Sequence, residues 1–244
     1  MNQLNEKLKI NKIKFYSKLN RQDNGSILLR SAIYLLAAAT TLASYMIWHY
    51  YSYGHWAMDA AMQDFVKGAR TSWLTTVFRA ITATGETIPV IIAAAVVVLS
   101  LVIYRKRSEG IIVAACMLGV WRLNEFLKQL LHRPRIDASQ HLVDISGYNH
   151  NNSFSLPSGH SMNFMALVLL TLYFIWIYSN NKKLKVGATL VLLPYGLLVG
   201  ISRVYLNVHY FSDVVTGWSV GIACASIAII VHRIICLRKN GSSI

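Results

Sequence analysis

Six long apolar runs, at about 28–50, 86–104, 110–131, 158–179, 184–204 and 211–236, alternate with short polar segments along the chain. Apolar residues fill these runs almost continuously, without the stripe of a half-buried helix or the alternation of a strand. A helix needs roughly 20 apolar residues to cross about 30 Å of hydrocarbon. Each run therefore predicts one membrane-spanning helix, and together they predict an all-α integral membrane protein with six transmembrane helices. The short connections predict one membrane domain over 28–236, a basic arm over 1–27 and a tail over 237–244.

The polar segments add detail. Residues 57–75 mix small, apolar and charged types and predict a helix lying near the outer surface. Trp48, Tyr50, Tyr51, Tyr53 and Trp56 form an aromatic belt of the kind that settles at headgroup level. Gly85 and Pro89 punctuate the entry to the second span, and Pro134 is expected to end or bend the third. Pro194 is expected to kink the fifth. The polar stretch 135–156, with Asn149, Asn151, Asn152 and Ser153, predicts the longest loop. In the arm, Leu8, Ile10, Ile13 and Phe15 only loosely follow a helical stripe.

Composition agrees with a membrane setting. The chain is 55% hydrophobic and 14% charged, against about 25% charged in soluble domains. The net charge of +14 would ordinarily suggest nucleic acid. Its distribution excludes that partner. Lys7, Lys9, Lys12, Lys14, Lys18 and Arg21 precede the first span; Arg105, Lys106 and Arg107 follow the second; Lys182, Lys183 and Lys185 follow the fourth; Arg233, Arg238 and Lys239 end the sixth. Basic clusters at every second boundary are the positive-inside pattern. Both termini are thus expected in the cytoplasm, with the bilayer as partner. The first run is too long for a cleavable signal and reads as a retained anchor. Cys116, Cys224 and Cys236 have neither metal-site spacing nor the look of a disulfide framework, and read as small buried hydrophobes.

Three stretches carry ionisable groups at the predicted outer boundary, where such groups are costly unless they function. Pro157-Ser158-Gly159-His160 opens the fourth span. A helix start offers unpaired N–H groups to an anion, Ser158 is a natural cap, and His160 brings a titratable proton. A plain cap with an incidental histidine is the alternative. His209 and Asp213, four apart, are expected on one face at the start of the sixth span. There the carboxylate fixes the imidazole tautomer and leaves one nitrogen to attack; a solvated His–Asp pair is the alternative. Arg203 is placed either to clamp phosphate oxygens or to snorkel. Lys128, Arg133 and Arg135 cluster against the positive-inside trend, as an anionic substrate would explain.

In this order the three stretches resemble the signature of the type-2 phosphatidic acid phosphatase superfamily, which includes lipid phosphate phosphatases, bacterial phosphatidylglycerophosphate phosphatases and undecaprenyl-pyrophosphate phosphatases. Pro157-Ser158-Gly159-His160 is complete. So is Ser202-Arg203, five residues, His209, three residues, Asp213. The first motif, Lys, six residues, Arg, Pro, is matched by Lys128 and Arg135, with Ile136 in place of the proline; Arg133-Pro134 has the wrong gap. The resemblance implies a six-span membrane enzyme. His209 would become phosphohistidine, Asp213 would orient it, and His160 would protonate the leaving group and then activate water. Lys128, Arg135, Ser158, Gly159 and Arg203 would bind phosphoryl oxygens. It implies no metal and no cofactor. The expected substrate is a phosphomonoester or pyrophosphate of a lipid, of the phosphatidylglycerophosphate or undecaprenyl-pyrophosphate type. The expected place is the cell membrane, with the site on the extracytoplasmic face. A lipid phosphotransferase with the same intermediate, or a non-enzymatic lipid-binding or transport protein, are the rival readings. The remaining histidines, His49, His55, His132, His141, His150 and His232, show no ligand spacing.

Overall fold

The computed structural model describes residues 25–54, 56–142 and 154–241. Most of the N-terminal arm and the asparagine-rich part of the long loop lie outside these residues. Within them the fold is helical, without strands: α1 Gly25–Tyr53, α2 Ala57–Ala69, α3 Ser72–Thr84, α4 Thr87–Ile103, α5 Arg107–Leu131, a 3-10 turn Ala138–Gln140, α6 Gly159–Tyr178, α7 Lys182–Tyr205 and α8 Phe211–Gly241.

Five helices, α1, α5, α6, α7 and α8, are long and apolar enough to span a membrane. The second apolar run departs from expectation. Its helix, α4, has 17 residues, about 25 Å at roughly 1.5 Å per residue. It meets α3 at a 53° bend, and the two together make up to a sixth span. The region expected as one helix over 57–75 is divided between α2 and α3. Arg70, in extended conformation, closes α2, and the Thr71 hydroxyl caps α3 by accepting from Leu74 N–H.

Helices α6 and α8 form the centre. In their apolar windows 61% and 50% of residues are buried, against 17% for α1 and for α7, so these two face protein while their neighbours face lipid. Helix α8 packs on α1 and α6, α6 on α7, and α4 on α5. The α6–α8 approach depends on missing side chains: a Cβ at Gly221 would lie 2.4 Å from the Met162 carbonyl oxygen. Small residues at helix crossings are the usual solution in bilayers, where packing rather than water exclusion joins helices. Ile88, Ile91, Val96, Leu99 and Ile103 of α4 are exposed, as suits lipid contact.

The end of α5 falls where its residues suggest. His132, left-handed at φ 49°, ends α5 before Pro134. Helix α7 continues through Pro194. Among the described residues the three cysteines form no disulfide; Cys236 is fully buried and Cys116 and Cys224 are half-buried.

Candidate active site

Four segment ends converge at one end of the bundle: the last turns of α5 and α7, the first turn of α6, and the turn entering α8. They enclose a cavity of about 510 Å³ whose polar wall includes Lys128, Arg135, Gly159, His160, Arg203 and His209. Six of the eight residues singled out in the sequence therefore face one space. Asp213 and Ser158 stand behind it.

Lys128, in the last turn of α5, and Arg203, in the last turn of α7, are both buried. Arg203 is steered by a bond from its Nη1 to the Thr82 hydroxyl of α3, at 2.8 Å. The chain leaving α7 then folds back on Arg203: its carbonyl accepts from Val208 N–H at 3.0 Å and His209 N–H at 3.3 Å. Asn207, left-handed at φ 58°, makes this turn possible. His209 consequently precedes α8 instead of lying on it, and the expected helix-face pairing is replaced by a tight turn with the same result.

That result is a 3.3 Å approach of His209 Nδ1 to Asp213 Oδ2. Asp213, in the first turn of α8, is fully buried. Its carboxylate also accepts from Arg133 Nη1 at 2.7 Å, Tyr210 N–H at 3.0 Å and the Ser155 hydroxyl. A carboxylate paired with Arg133 and receiving these donors acts as the acceptor, so Nδ1 of His209 carries the ring proton and Nε2 the lone pair. Burial first, and then the cations Arg135, Arg203 and Lys128, hold the His209 pKa well below 6.5. The imidazole is thus neutral near pH 7, the form a nucleophile requires.

His160, in the first turn of α6, is buried, and among the described residues its Nε2 has no hydrogen-bond partner. A buried polar atom without a partner, on the wall of a cavity, is placed to exchange a proton with something that enters it.

Ser158 occupies the N-cap position of α6, but its side chain makes no capping bond. Its N–H donates to the Asp213 carbonyl at 3.0 Å and its hydroxyl accepts from Ser161 at 3.0 Å. It ties the start of α6 to that of α8. Gly159 is required by protein as well as by any ligand: a Cβ there would lie 3.0 Å from Asn124 Oδ1, and Asn124 donates to the Pro157 carbonyl at 3.2 Å.

Arg133 and Arg135 separate across this site. Arg135 lines the cavity; Arg133 is buried behind Asp213. There it also binds Asp59 of α2, Nη2 to Oδ2 at 2.8 Å. Asp59, Ser155, Thr82 and Asn124 lie outside the three motifs, and only their contacts in the fold reveal them. Among the described residues no group of three or more His, Cys, Asp or Glu side chains is arranged to hold a metal ion.

Beyond its polar end the cavity continues between α4 and α5, past Trp121, Leu118, Met117 and Ala114 on one side and Ile91 and Ala95 on the other. From Ala114 to Lys128 this wall follows roughly 21 Å of helix, at about 1.5 Å per residue.

Comparison with known proteins places these features in a group. The family described as the PAP2 superfamily matches residues 108–235. Phosphatidylglycerophosphatase B of Bacillus subtilis (strain 168) is 31% identical over 174 residues, covering 68% of this chain and 80% of that protein. The crystal structure of the first transmembrane PAP2 type phosphatidylglycerolphosphate phosphatase from Bacillus subtilis aligns with a TM-score of 0.71 at 26% identity, over 84% of this chain and 97% of that one.

Proposed function

Since the chain belongs to the PAP2 superfamily, we propose that it is a membrane lipid phosphatase working through a phosphohistidine on His209. One observation carries this reading. A single cavity joins a cation-lined end holding His209 and His160 to an apolar groove between α4 and α5.

Lys128, Arg135, Arg203 and the Gly159 N–H hold the phosphoryl oxygens. These groups stand where charge spreads in the transition state, and fixed cations and N–H dipoles stabilise it there. Nε2 of His209 forms the bond to phosphorus as the bond to the leaving oxygen breaks. His160 gives its proton to that oxygen. In the second step His160 takes a proton from water, the water oxygen attacks phosphorus, and phosphate leaves as His209 regains its lone pair. Asp213 stabilises the imidazolium character of His209 in both steps. Ser158 acts from behind, holding the start of α6 in register. The cations supply the charge a metal would otherwise bring, so the reaction runs without metal or cofactor.

The substrate is a lipid phosphate whose chain lies in the α4–α5 groove. Phosphatidylglycerophosphate is the first choice, given the relative's name, and undecaprenyl pyrophosphate the second. The basic clusters at both chain ends, at 105–107 and at 182–185 put those segments in the cytoplasm. The bent α3–α4 pair then counts as one of six spans, and the site faces the extracytoplasmic side of the cell membrane.

The test is phosphate release by the purified protein in detergent, across phosphatidylglycerophosphate, phosphatidic acid, undecaprenyl pyrophosphate and a water-soluble phosphomonoester. Turnover of at least one lipid well above the soluble ester is expected. No release from any lipid would overturn the reading.

A further inference from the structure

Behind Asp213, on the side away from the cavity, lies a second carboxylate outside the three motifs. Arg133 sits between them, with Nη1 to Asp213 Oδ1 at 2.7 Å and Nη2 to Asp59 Oδ2 at 2.8 Å. Its guanidinium is flanked by the rings of Tyr210, at 4.1 Å, and Tyr50, at 5.0 Å. Asp59 is further fixed by Ser212, through the backbone N–H at 2.8 Å and the hydroxyl at 2.6 Å. All of these charged groups are buried: Asp213 is 0%, Arg133 2% and Asp59 4% exposed.

We infer that Asp59 and Arg133 are a positioning pair that sets the negative field under His209. The inference rests on the phosphohistidine reading above. Charge counting gives its physical content. Arg133 alone would fix the Asp213 carboxylate but cancel its charge. Asp59 offsets the guanidinium, so the trio Asp59, Arg133 and Asp213 carries one net negative charge. When His209 becomes a phosphoimidazolium, its positive charge is balanced within the buried cluster. Without Asp59 the buried cluster beneath the ring would carry no net charge, and only the phosphoryl oxygens, already bound by Lys128, Arg135 and Arg203, would offset that positive charge. In a water-poor site such a difference is felt strongly. A purely structural clasp between α2 and the bundle needs no second carboxylate, and buried ion pairs are weak contributors to stability.

The probe is Asp59→Asn, which keeps the shape and an acceptor for Ser212 but removes the charge. With the lipid the wild-type enzyme turns over, kcat per folded molecule is expected to fall about tenfold, the rate equivalent of about 1.4 kcal/mol, as for loss of one charge-assisted contact. KM is expected to stay within about twofold, because Asp59 touches no substrate. A rapid quench is expected to show slower formation of acid-labile phosphoenzyme. Thermal unfolding in detergent reports the folded fraction. Should Asp59→Asn not fold, Arg133→Lys serves, since a lysine cannot bond both carboxylates in a fork, and the same fall in kcat is expected. Wild-type kcat per folded molecule, or a change in KM alone, would overturn the pair's role. An inactive wild-type protein would instead remove the phosphatase reading, so the two failures are distinct.

Discussion

A buried histidine–carboxylate pair stands near each end of helix α8, and the two have opposite prospects. At its start His209 faces Asp213 at 3.3 Å; near its end His232 faces Glu109 of α5 at 3.8 Å. Both histidines are 2% exposed. The His232 ring is used on both nitrogens: Nδ1 meets the Tyr173 hydroxyl at 2.7 Å, and Nε2 lies 3.5 Å from Cys236 Sγ. Glu109 is likewise satisfied by Tyr178 and Ser108, at 2.6 and 2.7 Å. Among the described residues the His209 ring is held through Nδ1, and it borders a cavity walled by three cations. A His–carboxylate pair becomes chemistry when one nitrogen is left over and faces a space where charge can be stabilised. The same pair closed on every side is a bolt between helices.

The sharpest way to break this contrast is to delete each ring in turn. His209→Ala is expected to abolish turnover, at least about 10³-fold, because the covalent route is lost. His232→Gln is expected to leave kcat unchanged in the folded fraction. Phosphate release measured beside thermal unfolding separates the two, and near-normal release by folded His209→Ala would end the nucleophile assignment. Removing the proposed proton donor comes next: His160→Gln is expected to cost about 10²–10⁴ in kcat, and least with a leaving group that needs no proton, such as a nitrophenolate. Equal losses for both leaving groups would contradict the assignment.

A smaller effect distinguishes the two ends by stability. His232→Gln is expected to cost about 1–3 kcal/mol, since it strands part of a buried polar network; an unchanged unfolding midpoint would show the bolt to be idle.

Acid supplies a fourth test. The His209 pKa is lowered by burial and by Arg135, Arg203 and Lys128, so the folded state resists a proton that the unfolded chain accepts near pH 6.5. Stability from this source is complete above about pH 6.5 and is lost as pH falls below it. The unfolding midpoint of the ligand-free protein is expected to drop between pH 7.5 and 5.5, and less so in His209→Asn. An equal drop in both would assign the acid sensitivity elsewhere. The smallest signal is one of place: a membrane-impermeant thiol reagent is expected to label a cysteine at Asp137 in intact cells and to spare one at Lys183, in a background without native cysteines. The reverse would invert the membrane orientation.

Much of this architecture was legible along the chain. The apolar runs matched helices to within a few residues, because helix length in a bilayer is dictated by hydrocarbon thickness and composition alone. The second run was the exception. Its helix α4 has 17 residues and meets α3 at a 53° bend, and such a bend leaves no simple trace in hydropathy. Lys128, Arg135, Gly159, His160, Arg203 and His209 were marked by fixed local spacing at span ends, and all line one cavity.

What sequence by itself determined was therefore the set of long apolar helices and the ionisable residues at their ends, since both follow from the cost of placing each residue type in lipid. Tertiary structure alone decided how those residues divide the work. Arg133 and Arg135, two positions apart and alike in charge, went to different surroundings. One lines the cavity; the other is locked between Asp213 and Asp59, a residue 74 positions away along the chain. Ser158, a natural cap by type, was committed to α8 instead. Such assignments depend on which groups meet across distant segments in a medium that leaves no buried polar atom unsatisfied without cost, and spacing along one segment carries no record of that.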